Sequence, residues 1–212
     1  MNLSMPVEAV VPTLDGPVLL ALAKLTGPVT GRQVHQLAGV GSEAGVRKVL
    51  ARLVRQGLVR QSPAGGAYLY AINREHLAWP AVELLAGMRG QLLAHLRREF
   101  GEWDPRARCA ALFGSAARGD GDVDSDIDIL VIRQRRVVSD DEAWQTQLDR
   151  LREGVSAWTG NPCQIYEIGS DELEQHIAAR DPMIAAWRAD AITVAGSDLR
   201  HLLRDLGYRA SV

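Results

Sequence analysis

Apolar residues in the first third of the chain recur at helical spacing. Val46, Val49, Leu50, Leu53 and Val54 follow i, i+3, i+4, i+7, i+8, which predicts an amphipathic helix over 42–56, ended by Gly57. A helix is expected before it over 17–25. A second opens at Thr30, where Gln33 three residues on completes a capping-box pattern and Val34, Leu37 and Ala38 form the inner face. Gly39-Val40-Gly41 reads as the turn between this helix and the next. Two strand-like runs, 58–62 and Ala67–Ile72, flank Pro63-Ala64-Gly65-Gly66, the pattern of a β-hairpin. One longer helix is expected over 79–100, with Pro80 in its first turn and Val82, Leu85, Met88, Leu92, Leu93 and Leu96 as its stripe. That stripe could cover either neighbouring module or a second copy in a homodimer. Residues 1–13 have two prolines and no clear period and read as frayed.

After Pro105 the pattern changes to alternating strand and helix. Cys109–Phe113, 126–132 and 163–168 read as strands. Ser139 with Glu142 forms a second capping-box pattern, opening a helix to Trp158 with Trp144, Leu148, Leu151, Val155 and Trp158 inward. Further helices are expected over 170–180, 182–189 and 197–206. The organisation is therefore a module over 1–75, a linker helix within 76–104 and an α/β (α+β) domain over 105–212.

Composition adjusts this picture in two places. A hydrophobic content of 47% supports packed cores in both modules, yet no apolar run is long enough to cross a bilayer and no signal peptide is expected, so the reading is cytoplasmic. The net charge of −2 conceals an asymmetry: residues 1–75 hold eight Lys/Arg against four Asp/Glu (+4), and residues 76–212 hold sixteen against twenty-two (−6). A basic module beside an acidic one suggests two jobs, the first with nucleic acid. Cys109 and Cys163 fall in apolar strands and are expected to be reduced and buried, and the five scattered histidines have no metal-ligand spacing.

The chemistry concentrates in 112–131. A buried strand runs into Gly114-Ser115 at a strand-to-helix turn, where small residues allow close approach of a ligand and free N–H groups favour a phosphate. The next strand begins Asp126-Ile127-Asp128, and strand alternation points the two carboxylates the same way. Such a pair repels unless a cation intervenes, and Mg²⁺ suits hard oxygen ligands that bridge to phosphates. The alternating Asp120, Asp122, Asp124 and Asp126 resemble a calcium loop, but the Gly and Glu such a loop needs are missing at its sixth and twelfth positions.

Gly114-Ser115, Arg118-Gly119 and Ser125-Asp126-Ile127-Asp128 resemble the signature of the DNA polymerase β-like nucleotidyltransferase superfamily, in particular its minimal branch, which includes relatives of kanamycin nucleotidyltransferase. The resemblance covers about 106–200. It implies a mixed sheet flanked by helices, a nucleoside triphosphate whose phosphates are held by Gly114 and Ser115, and Mg²⁺ on Asp126 and Asp128 as catalytic and metal residues. Arg118 would hold phosphate or brace the loop. One position departs from the pattern: active members usually carry a third carboxylate on the next core strand, and here that position is Gln164, which cannot act as a base. Glu167 falls on the opposite face by period-2 geometry.

Residues 15–72 look like the winged-helix regulators of bacteria. That resemblance implies double-stranded DNA as partner, with Ser42, Glu43, Arg47, Lys48 and Arg52 on or beside the helix that enters the major groove. Arg60 on the hairpin could reach a phosphate or stand solvated. Two functions follow: a Mg²⁺-dependent nucleotidyltransferase tethered to a DNA- or partner-binding module, acting on an acceptor that could be a protein; or a winged-helix regulator or antitoxin, with a toxin partner, whose transferase-like domain has become a nucleotide sensor.

Overall fold

The computed structural model describes Met1–Tyr208; residues 209–212, the end of the expected 105–212 domain, lie outside the described residues. The chain forms two compact units. One is Met5–Gly90; the other joins Met1–Ser4 to the chain from Gln91 onward. Residues 1–13 are more ordered than their composition suggests. Leu3 is 2% exposed within the second unit and Val7 1% exposed in a 3-10 turn, Pro6–Ala9, because each finds an apolar cluster or helix to cover it.

In the Met5–Gly90 unit the order is α1 (Asp15–Ala23), β1 (Val29–Thr30), α2 (Gly31–Ala38), α3 (Glu43–Arg55), β2 (Val59–Ala64), β3 (Ala67–Ile72) and α4 (Trp79–Ala86). The strands make an antiparallel sheet in the order β1-β3-β2. Thr30 caps α2, with Gln33 completing the capping box, and Gly39 leaves that helix in the left-handed region at φ 70°. Along α3, Val46, Leu50 and Leu53 are buried against Val18, Leu22, Val34, Leu58 and Trp79. Each fully buried aliphatic chain contributes roughly 1.5–3 kcal/mol relative to exposure, which holds three short helices that would not persist alone.

The expected single helix over 79–100 is two helices, α4 and α5 (Met88–Gly101). Gly87 closes α4, its N–H donating to the carbonyls of Glu83, Leu84 and Leu85. A glycine followed three residues on by Gly90 weakens a continuous helix at this point.

The second unit continues with β4 (Cys109–Phe113), α6 (Gly114–Arg118), β5 (Ile127–Arg133), α7 (Glu142–Thr159), β6 (Cys163–Gly169), α8 (Ser170–Ala178), α9 (Pro182–Asp190), β7 (Ile192–Gly196) and α10 (Leu199–Asp205). Its sheet is mixed, in the order β6-β5-β4-β7, with β5 parallel to β6 and the other pairs antiparallel. Helices cover both faces. Ile127, Ile129 and Val131 pack with Leu92, Leu96, Trp144 and Leu148 on one side; Leu130 and Ile132 pack with Leu173, Ile184, Trp187 and Leu203 on the other. Two covered faces explain the nearly continuous apolar runs of β4 and β5. The cap of α7 is Asp141, which accepts from Trp144 N at 2.9 Å, instead of the expected Ser139. Asp141 is as good a cap as serine, and starting there turns Trp144 into the core. Strand β7 was not expected; the short run Ile192-Thr-Val-Ala-Gly196 lies between two helical patterns and has no turn signal before it.

Candidate active site

Strand β4 delivers the chain to Gly114, which stands at φ 68°, a conformation that disfavours any residue with a side chain. The backbone also presses against β5 here. A methyl group on Gly114 would collide with Asp128 Oδ2 and lie 3.2 Å from its Cγ. Two independent constraints thus select glycine at this turn. In register, Phe113 lies opposite Asp128, so the β4–β5 pairing itself carries the carboxylate to the turn.

Asp128 is half-buried on β5, and Asp126 sits just before that strand. The face carrying Asp128 continues into Leu130 and Ile132, while Ile127 and Ile129 fill the other face. Burial, and then the neighbouring charge of Asp126, push the Asp128 carboxyl above its ordinary value; Arg118 pulls it back. Two carboxylates whose charges act on each other in this way would suit a divalent cation. Among the described residues no group of three or more His, Cys, Asp or Glu could hold one, so the remaining ligands would be phosphate oxygens and water, the usual arrangement for Mg²⁺.

Ser115 lies in the first turn of α6, against the acidic loop: a methyl on Gly121 would stand 3.0 Å from Ser115 Oγ and 3.4 Å from Ser125 Cβ. Arg118 is tied to two carboxylates, donating from Nε to Asp120 (3.0 Å) and from Nη1 to Asp190 (2.7 Å). These are bracing contacts, linking α6 to its own loop and to the end of α9. The alternating aspartates divide their work. Asp120 holds Arg118, and Asp122 accepts from Ser125 Oγ (2.8 Å) and Asp124 N (3.0 Å), which keeps its carboxyl below the usual range.

Gln164 is exposed and pairs in register with Asp128 across the parallel β5–β6 ladder. Glu167 is opposite Val131 and binds Arg133 Nε at 2.7 Å, on the face away from Asp128. Burial nonetheless raises its carboxyl, with Arg133 pulling the other way. It is committed to a structural ion pair and stands apart from the acidic pair. Cys109 is buried and Cys163 half-buried; both are free, and burial pushes both thiols up to about 12. Sequence reasoning missed Asp190, which binds Arg118 of α6, and Asn161, which binds the carbonyls of Val123 and Ser125 in the loop. A helix-terminal Asp and an Asn before a proline read as ordinary cap and turn residues.

On the first unit, Ser42 is the N-cap of α3 and accepts from Gly45 N at 3.1 Å. Arg47 pairs with Glu43 one turn earlier at 2.5 Å, and Arg52 pairs with Asp15. Lys48 and Arg55 are exposed, and among the described residues neither has an ion-pair partner. Arg60 pairs with Glu75.

Residues 93–176 match the nucleotidyltransferase domain family. The matched segment runs from α5 to α8 and contains the Gly114 turn, the acidic loop, both aspartates and Gln164. The match supports a general nucleotidyl-transfer function, for which a nucleoside triphosphate is the implied substrate and a divalent metal the general requirement of such domains. The mixed four-stranded sheet flanked by helices is compatible with that fold. No curated protein and no solved structure matches the chain. Among the described residues no helix is long and apolar enough to cross a membrane.

Proposed function

We propose that the protein is a Mg²⁺-dependent nucleotidyltransferase that moves a nucleoside monophosphate from a triphosphate onto an acceptor, joined to a winged-helix module over 1–75 that reads double-stranded DNA. The observation that carries the first part is the contact between the left-handed Gly114 turn and Asp128, with Asp126 close enough to perturb the same carboxyl. Asp126 and Asp128 would hold the metal, which supplies charge neutralisation for phosphoryl transfer when bound. Gly114 and Ser115 would set the triphosphate against that site through backbone N–H groups and the serine hydroxyl. Arg118, braced by Asp120 and Asp190, would keep the α6 turn in place and add positive potential to it. Incubation with α-labelled nucleotides and Mg²⁺ tests this reading. Label should pass to an acceptor or to the protein itself, and Asp126→Ala and Asp128→Ala should each abolish it; transfer that survives both substitutions overturns the assignment.

One observation favours a second reading. The position in register with Asp128 is Gln164, an amide where a third carboxylate would activate the acceptor hydroxyl. In this reading the domain binds nucleotide without turnover, and the winged helix, with Ser42, Glu43, Arg47, Lys48 and Arg52 at the groove, acts as a nucleotide-responsive regulator or antitoxin. Gln164→Glu separates the two readings. A gain of transfer from an inactive wild type supports the sensor; an active wild type removes it.

A further inference from the structure

Residues 119–126 are mostly Gly, Asp and Ser, so fixing Asp126 costs chain entropy that the bonds within the loop do not offset alone. Its backbone is pinned from outside. Asn161, in the turn between α7 and β6, is 1% exposed. Its Nδ2 donates to Ser125 O at 2.9 Å and to Val123 O at 3.2 Å. The next residue, Pro162, accepts from Ile127 N at 2.8 Å. Asp126 therefore lies between two backbone groups, Ser125 O and Ile127 N, that are both bound by the 161–162 turn.

Asn161 is itself held. Its N–H donates to Thr159 Oγ1 at 3.1 Å, and Thr159 Oγ1 donates to Val155 O at 2.7 Å, so the amide is referenced to α7. The Asn161 Oδ1 accepts from the Met1 amino group. On the far side of the loop Ser4 N donates to Gly121 O at 3.0 Å. Only a neutral side chain with two N–H donors on one atom and an acceptor beside them satisfies this set. An aspartate would bring a buried charge against two carbonyls, and a serine offers a single donor.

Resting on the metal-site reading above, we infer that Asn161 is a positioning residue that sets the place of Asp126 and thereby the affinity of the site for a divalent cation. The groups around a metal ligand typically change affinity by 10-fold or more when removed. The test uses the full chain, with Mn²⁺ as probe and free Mn²⁺ read by electron paramagnetic resonance. Asn161→Ser should bind about tenfold more weakly than wild type. Its transfer rate should recover towards wild type in excess Mg²⁺, whereas Asp126→Ala should not recover. A variant that had only lost folded protein would show a lower rate with unchanged metal affinity and no recovery.

Equal Mn²⁺ affinity in wild type and Asn161→Ser overturns the positioning role and leaves the metal site standing. No Mn²⁺ binding by the wild type overturns the metal site and this role together. If Asn161→Ser fails to fold, hydrogen exchange on the wild type decides. Peptides covering 122–128 and 159–163 should gain protection together on Mn²⁺ addition, and a gain confined to 122–128 overturns the inference.

Discussion

The acidic pair at β5 and the basic face of α3 are both clusters of like charge, yet their charges are balanced differently. On α3, Arg47 is neutralised by Glu43 and Arg52 by Asp15, leaving Lys48 and Arg55 free among the described residues. At β5 the charge of Asp126 acts against that of Asp128, and the cation that offsets it, Arg118, is already shared by Asp120 and Asp190. A surface cation with a partner costs the fold nothing and would be found on any solvated helix. A half-buried carboxylate under the influence of a like charge costs stability, and a fold keeps such a pair where a ligand repays it. The uncompensated site is thus the stronger functional signal, and charge count alone would have ranked the two the other way.

The largest expected effect comes from the turn that brings Asp128 to the proposed phosphate site. Gly114→Ala introduces about 1–3 kcal/mol of backbone strain and drives a methyl into the Asp128 carboxylate. Nucleotidyl transfer should fall by about 100-fold or more, since displacing a reacting group by an ångström has that effect. Side-chain-free space at Gly65, on the hairpin, supplies the control: no neighbour lies within 4 Å of a methyl there, and Gly65→Ala should leave transfer unchanged. A Gly114→Ala protein of full activity would remove the close approach from the argument.

A smaller effect of opposite sign follows at Asp128. The folded state raises its pKa above 3.8, so the native protein holds more protons than the unfolded chain as the pH rises through the window just above that value. In that window the carboxylate takes stability away, and it goes on doing so at neutral pH. Asp128→Asn should therefore stabilise the protein at pH 7 without metal, by about 1 kcal/mol or less once solvent screening is counted, and thermal melting reads the gain. Below the unfolded pKa the gain should vanish. Adding Mg²⁺ should stabilise the wild type and leave the variant unmoved. A variant less stable than wild type at pH 7 would show that Asp128 is a structural carboxylate.

Much of this was legible from periodicity and spacing. The three helices and hairpin of the first unit, the strands β4, β5 and β6, and the Gly114 and Asp126/Asp128 elements all follow from local pattern, because each depends on residues within a few positions of one another. Features built from distant residues were not legible. The pinning of the acidic loop by Asn161 spans some 36 positions, and the bracing of Arg118 by Asp190 spans 72. The order of Met1–Ser4 depends on Leu3 finding a core formed mostly by residues beyond Gln91. The break at Gly87 was within reach, since a glycine three residues from a second one is a poor helix interior; the uninterrupted apolar stripe masked it.

The smallest effects belong to α3, and they sharpen the comparison from its other side. If α3 enters a major groove, Lys48→Ala should lower the slope of log affinity against log salt by about 1, the loss of one phosphate contact. Arg47→Ala should change that slope less, because Glu43 already offsets its charge, and Glu43→Ala should tighten binding by releasing it. None of these substitutions should move folding stability by more than about 0.5 kcal/mol, since the pair is exposed and one helical turn apart. Binding to a duplex measured from low to moderate salt gives the slopes, and thermal melting gives the stabilities. An Arg47→Ala slope change equal to that of Lys48→Ala would mean that the Glu43 pair opens on binding. In that case the balanced charges of α3 are as available to a ligand as the unbalanced ones of β5.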